Sequence, residues 1–254
     1  MELKAWALTD VGLKRENNQD SILARPDLGL FVVADGMGGH QGGEVASRMA
    51  VQIVENLTVD KAEFHDSEIK SFLINSYKEA TRQIYLKSDQ ETSLKGMATT
   101  MVLLLRCGAK IYIANVGDSR AYLIRPEGLW QLTEDHSLFN EQLKAGLVKE
   151  SDRDHFEGKN VITRSVGFES DVECDVIDRE MESDDTYLLC SDGLSGLMSD
   201  KEILKICLEK KPQEAVRELV ELAKKNGGDD NISVIIVQPS EHKSLDNEVT
   251  HTSS

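Results

Sequence analysis

The chain predicts an α+β sandwich, and three observations carry that prediction. Short apolar runs bounded by glycine and aspartate turns cluster in both halves of the sequence. Longer stretches with apolar residues at three-and-four spacing lie between and after them. The two kinds of segment do not alternate as the βαβ units of a parallel sheet would. With 254 residues, 40% of them hydrophobic, the chain is long enough to bury one large core.

Taken in order, Ala5 to Leu8 and Leu30 to Ala34 read as strands, accompanied by two polar loops, Lys14 to Asp20 and Asp35 to Gly43. From Glu44 the period changes: Ala46, Met49, Ala50, Ile53, Val54 and Leu57 place one helix face on a core. Ile69, Phe72, Leu73, Ala80 and Ile84 predict a second helix. Residues 97–133 turn β-rich, with strands over Ala98 to Leu105, Lys110 to Val116, Ala121 to Arg125 and Trp130 to Leu132. Breaks at Gly108, Gly117-Asp118 and Pro126-Glu127-Gly128 suggest a meander of antiparallel hairpins. Residues 135–171 are polar and weakly periodic, which predicts a partly helical insertion over one edge of the sheet. A strand returns at Thr186 to Cys190. Ser199-Asp200-Lys201-Glu202 has the form of a capping box that opens a helix, Pro212 and Gly227 frame a last helix, and Ile232 to Val237 is the closing strand. The expected organisation is one domain over 1–238, with 239–254, almost without apolar residues, as a disordered tail.

Lysine and arginine number 29 against 45 aspartate and glutamate, a formal charge of −16, so the overall field repels nucleic acid and anionic lipid. No 18-residue apolar stretch and no secretory signal occurs, so the expected protein is cytoplasmic, without membrane insertion, and monomeric. Cys107, Cys174, Cys190 and Cys207 form no CxxC pair and are expected to be reduced thiols.

The chemistry-bearing feature is a set of aspartates placed where strands run into tight turns: Asp20, Asp35 before Gly36, Asp118 after Gly117, Asp192 before Gly193, and Asp230 before Asn231. Each Asp-Gly pair alone is ordinary turn chemistry. Together they would make an all-oxygen ligand set, which suits Mn²⁺ or Mg²⁺ better than zinc, and five anions at one site require cations to neutralise them. Other signals are weaker. Gly36-Met37-Gly38-Gly39 has neither nucleotide-loop spacing, and Asp135-His136-Ser137, without a nucleophile elbow, reads as a turn into the insertion.

Six blocks surround these aspartates: Arg15-Glu16-Asn17-Asn18-Gln19-Asp20, Val33-Ala34-Asp35-Gly36-Met37-Gly38-Gly39-His40, Gly42-Gly43-Glu44-Val45-Ala46-Ser47, Ala114-Asn115-Val116-Gly117-Asp118-Ser119-Arg120-Ala121, Leu189-Cys190-Ser191-Asp192-Gly193-Leu194, and Gly228-Asp229-Asp230-Asn231-Ile232-Ser233. In this order they resemble the metal-dependent serine/threonine phosphatases of the protein phosphatase type 2C (PPM) family, in its compact bacterial form, from about Ala7 to Val237. The resemblance implies a four-layer αββα sandwich, two antiparallel sheets face to face with helices on both outer faces. It implies two Mn²⁺ or Mg²⁺ ions bridged by Asp35, with the Gly36 carbonyl on one and Asp192 and Asp230 on the other. Asp20 would hold metal-bound waters, and Asp118 would share a third, weaker ion with Asp192. Asp229 is the neighbouring rival to Asp230. Arg15 would clamp phosphate oxygens through its planar fork.

The implied reaction is direct attack of a metal-activated water on phosphoserine or phosphothreonine, with phosphorylated proteins as partners and a serine/threonine kinase sharing those substrates. Gln19 and Met37 stand where some members have an acidic residue and a histidine. Met37 cannot donate a proton, and His40 is the candidate for that role, although orienting an aspartate or capping a loop is the commoner use of such a histidine. The alternatives are a non-catalytic phosphoprotein-binding regulator of the same fold, and a phosphatase acting on a small phosphorylated metabolite or a regulator protein.

Overall fold

The computed structural model describes residues 2–61, 64–158 and 160–240, the side chains of 39–41 and 154 excepted. Two antiparallel sheets pack face to face. The first runs β1 (Glu2–Asp10), β11 (Ile232–Ser240), β10 (Thr186–Cys190), β7 (Arg120–Arg125), β8 (Gly128–Gln131). The second runs β2 (Asp20–Arg25), β3 (Leu30–Met37), β5 (Met101–Cys107), β6 (Lys110–Val116), β9 (Asp175–Glu180), with the short β4 (Ala98–Thr99) continuing alongside β3. Helices α1 (Gly39–Asp60) and α2 (Asp66–Gln90) cover the second sheet; α4 (Asp192–Ser195), α5 (Asp200–Glu209) and α6 (Pro212–Lys225) cover the first. The remaining helix, α3 (Leu138–Lys144), lies in the insertion.

Strand alternation sorts the core into three layers. Leu30, Val32 and Ala34 face α1 and α2, with Met101, Leu103 and Leu105 beside them. Phe31 and Val33 point the other way and meet Leu189, Ile235 and Val237 of the first sheet. Val234 and Ile236 then face Leu219 and Val220 of α6. These strands are buried on both faces, which is why they read as unbroken apolar runs. The helices follow their predicted stripes: Ile69, Leu73, Ala80 and Ile84 are fully buried on α2, and Ser199 and Glu202 form the reciprocal capping box of α5.

Four expectations change. The chain from β5 to β8 is not one meander: β5 and β6 form a hairpin in the second sheet, β7 and β8 one in the first, and Gly117–Ser119 carries the chain between sheets. Helix α1 starts at Gly39, ahead of Glu44, because Gly42 and Gly43 lie in its first turns against neighbouring backbone and do not bend the chain. The last strand runs through Pro239 to Ser240; beyond Val237 it pairs with β1 alone, so a residue lacking an N–H is tolerated there. The rest of the expected tail, 241–254, lies outside the described residues. Strands β2 and β9 and the four-residue α4 join the predicted elements; β9 is a polar edge strand with little apolar signal.

The insertion joins β8 to β9, the outer strands of the two sheets. It is partly helical, with α3 capped by Ser137 and a 3-10 segment over Glu150–His155. Its own small core is Phe139 against Phe156, with the Arg153 guanidinium 4.4 Å from the Phe139 ring centre. All four cysteines are free thiols.

Candidate metal centre

Strand ends deliver the aspartates to one rim of the sandwich. Asp20 opens β2 directly opposite Asp35 of β3. Asp118 sits in the crossing between sheets, Asp192 opens α4 where β10 ends, and Asp230 stands just ahead of β11, the strand that pairs with β10. Asp20 ties the two sheets together: its Oδ2 accepts from Ser191 Oγ at 2.8 Å and Ser233 Oγ at 2.6 Å, both carried by the other sheet.

Asn231 closes the arrangement. Its Oδ1 accepts from the Gln19 N–H at 2.7 Å, and its Nδ2 donates to the Val11 and Asn17 carbonyls at 2.9 and 3.1 Å. One buried amide thus fixes the 11–19 loop, with Arg15 and Asp20 at its end, against the Asp230 loop. Under Asp35, the Thr100 hydroxyl receives the Asp35 N–H at 3.0 Å, and Thr99 Oγ1 donates to the Asp35 carbonyl at 2.8 Å. Gly36 and Gly43 meet backbone to backbone: a Cβ on Gly36 would lie 2.0 Å from the Gly43 oxygen, and one on Gly43 would lie 2.6 Å from the Gly36 oxygen. Only glycine at both positions lets the chain after Asp35 pack this closely against the start of α1.

The carboxyls lie close enough to feel one another's charge. Burial drives the Asp35 carboxyl well above the ordinary range, and Asp20, Asp192, Asp118 and Asp230 push it further. Burial lifts Asp20 to about 7 against the two serine hydrogen bonds, with Asp192 and Asp230 adding to the rise. Asp118 is pushed up to about 8 by burial and then by Asp192 and Asp135. Asp192 is raised by burial and by Asp230, and partly relieved by a hydrogen bond with Asp35. The Oδ1 atoms of Asp20, Asp118 and Asp192 are sealed from solvent without a hydrogen-bond partner. Unpartnered, buried, mutually repelling carboxylate oxygens are what hard divalent cations satisfy, so the residues fit such ions. Among the described residues no three acidic, imidazole or thiol side chains already form a closed ligand set; the fit rests on the orphaned oxygens and their shared field.

The structure therefore brings Asp20, Asp35, Gly36, Asp118, Asp192 and Asp230 together. Arg15, half-exposed, donates from Nη2 to Asp230 Oδ2 at 2.6 Å, so the expected phosphate clamp stands at the edge of the acidic cluster and neutralises part of it. Asp229 turns away to an exposed pair with Lys14. The His40 side chain lies outside the described residues. Sequence reasoning missed Ser191, Ser233 and Asn231; the available signal was a hydroxyl or amide inside otherwise apolar strand-end segments, Leu189-Cys190-Ser191 and Asn231-Ile232-Ser233-Val234. It also undervalued Asp135 and His136, both buried: Asp135 takes a bidentate clamp from Arg120, and His136 bonds the Gly117 backbone.

Comparison with known proteins gives concordant matches. The family model described as Protein phosphatase 2C matches residues 14–233. The serine/threonine phosphatase stp of Listeria monocytogenes is 37% identical over 235 residues, 91% of this chain and 93% of that protein. The crystal structure of the Mycobacterium tuberculosis serine/threonine phosphatase PstP/Ppp superposes with a TM-score of 0.88 at 32% identity, over 95% of this chain and all of that one. The catalytic domain of the phosphatase PstP, solved in complex with two manganese ions, gives 0.84 at 33% identity, over 93% of this chain and 98% of that one.

Proposed function

Because the chain belongs to the protein phosphatase 2C family, we propose that it hydrolyses phosphoserine and phosphothreonine in proteins at a binuclear Mn²⁺ or Mg²⁺ centre, with a third, weaker ion near Asp118. The observation that carries this reading is the convergence of Asp20, Asp35, Asp118 and Asp192, three of them with a buried, unpartnered oxygen, from strand ends of both sheets. Asp35, the Gly36 carbonyl, Asp192 and Asp230 would hold the two ions, and Asp118 with Asp192 the third. Two ions so held would supply Lewis acidity at the phosphoryl oxygens and would acidify a water to act as nucleophile.

The protein's own groups do the rest. Asp20, pinned through Oδ2 by two hydroxyls, keeps Oδ1 free to accept from and orient water. Arg15 presents a planar fork at the rim, suited to two oxygens of a bound phosphate. Met37 offers no proton, so protonation of the departing serine or threonine oxygen falls to water or to another side chain. The substrates are phosphorylated proteins, and under this reading a serine/threonine kinase modifies the same set. Under the same reading the enzyme works as a cytoplasmic monomer. Separately, among the described residues no helix is long and apolar enough to cross a membrane.

The test is Mn²⁺-dependent hydrolysis of p-nitrophenyl phosphate and of a phosphothreonine peptide. Activity should vanish on chelation and in Asp192→Asn, with the circular dichroism spectrum unchanged. A folded, Mn²⁺-loaded protein that binds phosphoprotein without turnover would replace this reading with that of a non-catalytic regulator.

A further inference from the structure

We propose that His136 is a positioning residue for this reaction: its imidazole fixes the Gly117–Asp118 turn and thereby sets where the Asp118 carboxylate stands in the metal centre. The inference rests on the metal-dependent reading above.

The turn cannot hold itself. Gly117 has φ +103, and a Cβ there would lie 2.5 Å from Thr100 Cβ, so the crossing between sheets must be made by a residue with no side chain to pack. Its position depends on hydrogen bonds instead. His136 supplies two of them: its backbone N–H donates to the Gly117 carbonyl at 3.0 Å, and its Nδ1 accepts from the Gly117 N–H at 3.1 Å. Asn115 Nδ2 adds a third, to the Gly117 carbonyl at 3.2 Å. On the far side, Ser119 Oγ and Thr100 Oγ1 are hydrogen-bonded at 2.7 Å. Asp118 lies between these two anchors with its Oδ1 buried and unpartnered.

His136 is in turn held from both ends. A ring nitrogen that accepts from an N–H carries no proton, so the proton is on Nε2, which donates to Asp175 Oδ2 at 3.2 Å. Its neighbour Asp135 is gripped by Arg120 through contacts of 2.9, 3.1 and 2.6 Å. Asn140 of α3 donates to the Asp135 carbonyl at 2.9 Å. The imidazole therefore stands at the joint between the insertion and the metal-facing turn, with 6% of its surface exposed. Loss of its acceptor leaves a buried Gly117 N–H without a partner and lets the turn relax around it.

A histidine that merely fills space predicts a different result in a crossed pair of variants. His136→Asn keeps an acceptor near the Nδ1 position and loses the ring; His136→Phe keeps the ring volume and loses the acceptor. Mn²⁺ binding, followed by the electron paramagnetic resonance of free Mn²⁺, is measured for both and for the parent, beside the Tm of each metal-free protein and kcat and KM on the phosphothreonine peptide. We expect His136→Phe to bind at least one ion about tenfold more weakly or worse, and His136→Asn to stay within about twofold of the parent despite a lower Tm. Peptide KM should hold while kcat falls in His136→Phe. If the phenyl ring prevents folding, His136→Leu, smaller and equally without an acceptor, carries the same expectation. Parental Mn²⁺ affinity in the variants lacking the acceptor, or losses that track Tm and not the acceptor, would overturn the inference alone. A parent protein that takes up no Mn²⁺ would overturn it together with the metal-centre reading.

Discussion

Replacing Asp20 with asparagine should stabilise the metal-free protein at alkaline pH, although it removes a group the proposed mechanism uses. A carboxyl whose folded-state pKa is raised contributes stability below its unfolded value, and that contribution is lost as pH rises through the folded value. For Asp20 the window runs from 3.8 to about 7. At about 1.36 kcal/mol per unit, the ionised group costs the fold about 4 kcal/mol by pH 8, and that charge also raises the neighbouring Asp35. Asparagine keeps an oxygen for Ser191 and Ser233 and places a neutral amide beside the other carboxyls.

Relaxation of the site reduces the gain to about half, and at 2–4 °C per kcal/mol for a chain of this size Asp20→Asn should melt about 5 °C above the parent at pH 8. At pH 5, where the folded carboxyl is protonated but the unfolded one is already ionised, roughly a third of that difference should remain, and it should vanish only below about pH 4. Differential scanning fluorimetry in EDTA at both pH values makes the comparison. Added Mn²⁺ should raise the parent's Tm more at pH 8 than at pH 5, because binding at pH 5 must displace protons, and should raise the variant's Tm less. A metal-free Asp20→Asn protein that melts at or below the parent at pH 8 would refute the argument that the carboxyls repel one another in a shared, dry space.

Arg15→Ala should lower kcat/KM on a phosphopeptide about 10- to 100-fold through loss of charge-assisted bonds, with Arg15→Lys recovering only part, as steady-state kinetics would read. Asn231→Ala removes three hydrogen bonds between the 11–19 and Asp230 loops and should destabilise the fold by about 2–4 kcal/mol in urea unfolding, with weaker Mn²⁺ uptake by calorimetry. Gly36→Ala would drive a Cβ to within 2.0 Å of the Gly43 oxygen and 2.6 Å of the Gln19 oxygen, both backbone. It should cost about 3 kcal/mol or more and reduce Mn²⁺ uptake, since neither neighbour can swing aside.

Local information in this chain is strong where one residue type has one job. An aspartate beside glycine at a strand end, Ser199 three residues before Glu202, and the stripe of Ile69, Leu73, Ala80 and Ile84 each state their structure within a few positions. The clustered aspartates were legible for that reason, as was the Arg15 loop. Polar groups that serve the site at a distance were not. Ser191 and Ser233 bond Asp20 across 171 and 213 residues, and His136 bonds Gly117 across 19. No spacing rule links such partners.

By itself the sequence determined the helix faces, the apolar core strands, the acidic loops and the family to which they belong, but not the strands β2 and β9. The tertiary structure alone decided which sheet each strand joins, that the chain changes sheets at Gly117–Ser119, and that Asp20 bridges the sheets through two buried serines. The physical reason is burial on both faces: Leu30–Ala34 and Val234–Val237 are apolar on either side, so periodicity carries no record of the neighbour. That choice is made by packing between segments far apart in the chain, and the metal-facing rim exists only once it has been made.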